Sequence, residues 1–261
     1  MTLPYPLPVV FHAGPLAIPA HLLFESLGYF VGFRLFLHLR VRWSDSIPDA
    51  TRFAVIAASA IGAVAGSKLL VWAQHPLETW AHRADPAALL GGKTIVGGLL
   101  GGLLAVEWAK WRLGETRRTG DVFVLPLCVG MAIGRIGCFL AGLSDATYGN
   151  ATRLPWGIDL GDGVPRHPAP LYEILALAVI AAWAARAHRS GSRREGDLFM
   201  GFMSLYLAFR LALEFVKPGP RDYAGLSGIQ VACVLGLLYY ARDAWRIFFT
   251  VGQPAPETRT V

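Results

Sequence analysis

The sequence predicts an all-α, polytopic membrane protein with seven transmembrane helices, the N-terminus outside and the C-terminus cytoplasmic. Three observations carry this. Hydrophobic residues make up 54% of the 261 and charged residues only 16%, where soluble domains carry roughly 25% charge. Too few charges remain to cover a water-facing surface. The apolar residues gather into stretches of about 20, the length that crosses roughly 30 Å of hydrocarbon as a helix. The Lys and Arg behind the net charge of +6 fall mostly in short connections between those stretches. That is a topology signal, so no nucleic-acid partner is expected.

The spans are predicted near 16–39, 53–74, 95–113, 122–143, 170–188, 198–217 and 226–249. Before the first, Met1-Thr-Leu-Pro-Tyr-Pro has no basic region, so no cleavable signal peptide is expected. Gly62 and Gly66 in the second span, and Gly97, Gly98, Gly101 and Gly102 in the third, space small residues for close helix packing. Gly91-Gly92-Lys93-Thr94 is not a P-loop, because Ala87 stands where that motif needs Gly and no strand precedes it.

Connections after spans one, three and five, with the C-terminal tail, hold fourteen Lys and Arg, against six on the other side: Arg83, Lys93, Arg153, Arg166, Lys217 and Arg221. The richer side is cytoplasmic. The long connections 75–94 and 144–169 then lie outside, where chemistry-capable loops are expected. Residues 1–250 read as one seven-span domain and 251–261 as a disordered cytoplasmic tail. Cys128, Cys138 and Cys233 are odd in number and widely spaced, which fits neither a disulfide framework nor a zinc site. No metal or cofactor is expected.

Six ionisable residues fall inside the spans: Glu25, Arg34, Lys68, Arg135, Arg210 and Glu214. Each costs on the order of 2.5–3.5 kcal/mol at mid-membrane unless it pairs, snorkels or lines a wet cavity. Arg34 is close enough to the inner end to snorkel. By helical rise, Arg135, Arg210 and Lys68 lie about 20, 18 and 22 Å from their inner ends, and Glu25 about 13 Å from its outer end. These four converge on one depth in the outer half of the bilayer. Glu214 follows Arg210 at i, i+4 and can pair with it. Three cations against two carboxylates leave a positive surplus. That surplus suits a lipid phosphate entering from the membrane; an interhelical ion-pair lattice without ligand is the other reading.

Gly134-Arg135-Ile136-Gly137-Cys138-Phe139 runs on to Leu154-Pro155-Trp156-Gly157 and then Arg166-His167-Pro168-Ala169-Pro170-Leu171-Tyr172-Glu173. Together with Arg210-x-x-x-Glu214, these segments resemble the bacterial prolipoprotein diacylglyceryl transferases. The resemblance implies an inner-membrane enzyme with its site toward the outer, periplasmic face. It implies transfer of the diacylglyceryl group of phosphatidylglycerol to a lipobox cysteine in the signal-peptide region of a prolipoprotein, releasing glycerol phosphate. Arg135 and Arg210 would hold the phosphate, an electrostatic role, with Glu214 orienting Arg210. Lys68, Glu25, Gly134, Gly137 and Arg153 would complete the substrate-binding set. His167, Tyr172 and Glu173 would organise an outer lid; for the last two, a plain helix start is the alternative.

Two departures stand out. Val96 occupies the place of the family His in the third span, and Cys138, Ala141 and Leu143 replace two Asn and a Glu. Some base must still take the thiol proton. The candidates are Asp145, His167 and Glu25, in that order, although Asp145 also fits a local turn cap. Cys138 beside Arg135 reads either as a small buried hydrophobe or as a thiolate favoured by the cation. Two competing functions remain: a same-scaffold transferase with a different acceptor, and a non-catalytic lipid-binding or transport protein. The latter would return bound phospholipid intact after incubation with acceptor.

Overall fold

The computed structural model describes residues 7–250 except 44, 46, 192 and 193, so the expected tail at 251–261 lies outside the described residues. The order is β1 (Val10–Ala13), β2 (Leu16–Pro19), α1 (Ala20–Arg42), α2 (Asp49–Gln74), α3 (Pro76–Ala81), α4 (Pro86–Leu90) and α5 (Ile95–Leu113). Then follow α6 (Val124–Ala141), β3 (Ile158–Asp159), β4 (Pro165–Arg166), α7 (Ala169–Arg189), α8 (Asp197–Leu213) and α9 (Gly228–Phe249). Helices α1, α2, α6 with its flanking 3-10 turns, α7, and α8 with the turn after it are long and apolar enough to cross a membrane. α5 carries Glu107, Lys110 and Arg112, and α9 carries Arg242, Asp243 and Arg246. The protein is an all-α, multi-pass membrane protein.

Most helix ends fall within a few residues of expectation. The first span is the exception: it begins at Ala20, because residues 10–19 form a short hairpin instead. Gly14, at φ 60, turns the chain there. The main chain then finds its partners across the hairpin and in Val9 N–H→Leu140 O (2.9 Å), which leaves no groups for an earlier helical turn. The outer connections are also less open than expected. The first contains α3 and α4, and the second contains the β3–β4 ribbon, which pairs Ile158 with Arg166.

The chain divides into two compact units. One comprises residues up to 45, 120–218 and from 243 onward. Here α1 packs on α6, α6 on α7 and α7 on α8. Leu177, Ile180 and Ala184 of α7 are buried, while Leu175 and Val179 on its opposite face are exposed, as suits a helix with one side toward lipid. Asp121 caps α8 from a distance, accepting from Gly196 N–H (2.7 Å) and Phe199 N–H (2.9 Å). Those are two of the donors a helix start leaves unpaired.

The other unit comprises 46–119 and 219–242, and its core is the α2–α5 pair. The expected packing glycines face each other: a Cβ at Gly62 would lie 2.5 Å from the Gly101 carbonyl oxygen. Only bare backbone allows this approach. Arg52 is buried and donates to Thr119 O (2.8 Å).

Candidate active site

Four charged side chains assemble inside the first unit. Arg135, three turns into α6, places Nε 2.9 Å from Glu173 Oε2. Arg210, near the end of α8, places Nη1 3.6 Å from the same oxygen and donates from Nη2 to Glu214 Oε2 at 3.0 Å. Tyr206, one turn before Arg210, donates its hydroxyl to Glu173 Oε1 at 2.7 Å. Glu173 is 2% exposed and Arg210 4%. One carboxylate on α7 thus joins the guanidiniums of α6 and α8.

Glu173 therefore lies in the cluster itself and not in a lid, because α7 begins at Ala169 and turns the Glu173 side chain to its buried face. It also gives Arg135 the carboxylate partner that sequence reading did not find. Lys68 belongs to the other unit, where its ammonium donates to the carbonyls of Leu90, Gly91 and Gly92. Carbonyls at the end of a helix attract a cation. Lys217, half-buried just beyond α8, lies within electrostatic reach of Arg210, Glu214, Arg135 and Glu173. With it, three cations face two carboxylates in the first unit.

The donors are not all used up. Arg210 Nε is buried without a hydrogen-bond partner, and Arg135 Nε and Arg210 Nη1, both turned to Glu173 Oε2, are poorly aligned with it. Buried donors without acceptors are costly, and a doubly charged, forked pair of this kind fits a phosphate. Gly134 on α6 faces open space, whereas Gly137 packs against α1, where an added Cβ would meet Phe24 Cβ at 2.9 Å.

The connection 144–168 is tied down in the same unit. Gly149 N–H donates to His167 O (2.9 Å), His167 N–H to Asn150 O (3.0 Å) and Asn150 N–H to Val216 O (2.7 Å). His167 Nδ1 lies 3.1 Å from Tyr172 Oη, which accepts from Trp156 Nε1–H at 2.7 Å. His167 and Tyr172 thereby link the loop to the start of α7. Arg166 donates to Asp162 Oδ1 (2.6 Å) and covers the Tyr148 ring at 5.4 Å. Its guanidinium holds the Asp162 carboxyl below the usual carboxylate range. A cleft here is bordered by Cys138, Thr147, Tyr148, Arg166 and His167. Arg153 is exposed in the loop, away from the buried cluster.

Asp145 and Glu25 meet at a residue that sequence reading passed over. His21 Nδ1 is 3.3 Å from Asp145 Oδ1, and His21 Nε2 is 3.4 Å from Glu25 Oε2. Asp145 Oδ2 accepts from Thr147 Oγ1 at 2.8 Å. Glu25 also accepts from Tyr29 Oη at 3.4 Å. The i, i+4 spacing of His21 with Glu25, and of Tyr206 with Arg210, is visible in the sequence and was the available signal.

Fold and site thus define a class: a helical membrane protein with a buried guanidinium pair that shares one carboxylate. Residues 8–248 match the prolipoprotein diacylglyceryl transferase family, and the chain belongs to it. It is 33% identical to a phosphatidylglycerol–prolipoprotein diacylglyceryl transferase of Cupriavidus necator, over 86% of this chain and 85% of that protein. Proteins of the same name from Nitratidesulfovibrio vulgaris (33% identical, 90% and 92% covered) and Desulfotalea psychrophila (29%, 94% and 95%) are also similar.

Proposed function

We propose that this protein transfers the diacylglyceryl group of phosphatidylglycerol to the lipobox cysteine of a prolipoprotein, at the outer face of the bacterial inner membrane. One observation carries the reading: two buried guanidiniums share a single carboxylate, and Arg210 Nε beside them has no hydrogen-bond acceptor. Arg135 and Arg210 grip the phosphodiester and stabilise the charge that builds on it as the carbon–oxygen bond breaks. Glu214 holds one edge of Arg210, while Glu173 and Tyr206 fix the spacing of the two guanidiniums. Preset donors of this kind need no rearrangement during reaction, which is what makes them worth more in a dry site than in water.

The same reading takes residues 1–250 as one transferase domain of seven spans, with α5 and α9 completing the set. The N-terminus is outside and the C-terminus inside, as the Lys and Arg distribution favours. Reporter fusions that are active in the cytoplasm at the C-terminus, and outside when placed within 150–165, are the expected pattern.

The deciding experiment incubates the purified protein in detergent with labelled phosphatidylglycerol and a lipobox peptide. Release of glycerol phosphate with a peptide heavier by one diacylglyceryl group is expected. Phospholipid fragments without that peptide product would replace the acceptor. Intact phospholipid with no product would overturn the reading in favour of a lipid-binding protein.

A further inference from the structure

The family His is absent here, since Val96 takes its place and is buried as an apolar side chain. The buried cluster supplies no ready base for a thiol, because Glu173 and Glu214 are engaged by guanidiniums. Another group of side chains stands beside it. His21, Cys138 and Asp145 each offer one ligand atom, and these atoms lie within 4.8 Å of one another.

The donor set is that of zinc. One thiolate, one imidazole and one carboxylate make three of the four corners of a tetrahedral site, the number a catalytic zinc keeps while one corner stays open. Bond lengths of about 2.0–2.3 Å place neighbouring ligand atoms roughly 3.3–3.8 Å apart. The 3.3 Å between His21 Nδ1 and Asp145 Oδ1 is of that size. Sulfur and imidazole together select a borderline-soft cation over magnesium or calcium.

The supporting groups point the same way. His21 Nδ1 is buried and makes no hydrogen bond, while its Nε2 faces Glu25 at 3.4 Å. That is the arrangement of a ligating imidazole, whose second nitrogen is held by a carboxylate. Asp145 turns Oδ1 to the cluster and has Oδ2 fixed by Thr147 at 2.8 Å. Arg135 Nη1 donates to Cys138 Sγ at 3.4 Å, which fixes the sulfur on the side of His21 and Asp145. Gly137 makes the assembly possible: a Cβ there would lie 3.1 Å from His21 Cα, so glycine lets α1 bring His21 up to α6.

We propose that His21, Cys138 and Asp145 bind a zinc ion whose fourth position takes the acceptor thiol and delivers it as thiolate. This role rests on the transferase reading. The sulfur coordinates the metal and loses its proton. Its electron pair then forms a bond to the glycerol carbon that carries the phosphate. The carbon–oxygen bond breaks, and the electron pair leaves on the phosphate oxygen. The departing phosphomonoester, a stronger base than the diester it came from, takes up the proton. A metal-bound nucleophile substitutes for the missing base, because a bound cation deprotonates a thiol outright. The Arg135 guanidinium touches both Cys138 and Glu173, so nucleophile and leaving group meet at one side chain.

The test uses the full-length protein purified in detergent. Elemental analysis is expected to find about one zinc per chain. Replacement by Co(II) is expected to produce the near-ultraviolet thiolate-to-cobalt band. Cys138→Ser and His21→Ala should lose both signals, whereas Cys128→Ser, at a buried thiol elsewhere on α6, should keep them. Stripping the metal with chelator should lower thioether formation about 100-fold, with recovery on adding zinc. Wild-type protein that lacks metal and the cobalt band yet makes product at full rate would overturn the proposal and leave the transferase reading intact. A thiolate band that survives Cys138→Ser would overturn the ligand assignment. Zinc-loaded protein that never forms the peptide product would uphold the site and overturn its role together with the transferase reading.

Discussion

Arg135 Nε lies 2.9 Å from Glu173 Oε2, and both side chains are almost wholly buried. This pair is the joint of the site, because Arg210 leans on the same oxygen at 3.6 Å. Glu173→Gln keeps the shape and removes the counter-charge, leaving two guanidiniums facing each other. Breaking a buried pair costs about 3–5 kcal/mol. A lower thermal unfolding midpoint in detergent and loss of most glycerol phosphate release are expected.

Arg135→Lys separates charge from geometry. The ammonium keeps the positive charge but has no planar fork, so two-point binding to phosphate is lost. Product formation should fall about 10²–10³-fold, the scale of removing one preset transition-state donor. A wild-type rate would remove Arg135 from phosphate binding.

Tyr206→Phe removes only the 2.7 Å hydrogen bond to Glu173 Oε1. Hydrogen bonds to charged groups contribute about 1.5–3 kcal/mol. The variant should lose about that much stability, read as a lower unfolding midpoint, and lose less activity than Arg135→Lys, since the phosphate-gripping groups remain. Comparing unfolding midpoint with turnover on one preparation checks both.

Packing of α2 on α5 predicts opposite results at two glycines. A Cβ at Gly66 would lie 2.7 Å from Gly101 Cα, so Gly66→Ala must push the helices apart, costing about 1–3 kcal/mol. At Gly98 the nearest atom would be 3.6 Å away, an ordinary contact. Gly98→Ala should be neutral or slightly stabilising, as alanine is the better helix former. Thermal unfolding of the two variants side by side makes the comparison.

The outer turn carries a pH signature. Arg166 lowers the Asp162 carboxyl below its ordinary 3.8, so the ion pair stabilises the turn at every pH above that value. The contribution is lost as pH falls through the depressed value. The protection of Val164 N–H, which donates to Asp162 Oδ1, measured against the intrinsic exchange rate, should hold at about pH 5 and fall only in stronger acid. Asp162→Asn should already exchange faster at neutral pH.

How legible the fold was follows from where its physics is local. Apolar run length placed the helices, and Gly62, Gly66, Gly97 and Gly101 announced their own close approach. The Arg210–Glu214 pair was visible because it lies on one helix at i, i+4. Residues 16–19 were misread as helix, because their main chain pairs across a hairpin with residues 10–13. Hydropathy alone does not register such partners.

By itself the sequence determined the membrane solvent, the approximate place of the long helices and the family, and it singled out the two arginines. Each depends on composition, periodicity or contiguous motif. Only the tertiary structure decided which carboxylate serves those arginines, that Lys217 stands with them, and that Lys68 meets the carbonyls after α4. All three depend on which helices are neighbours and on which carbonyls a lysine meets first. The same holds for His21, Cys138 and Asp145, which lie over a hundred residues apart at the extremes and share no spacing rule. Their ligand atoms come within 4.8 Å only because glycine at 137 lets two helices close.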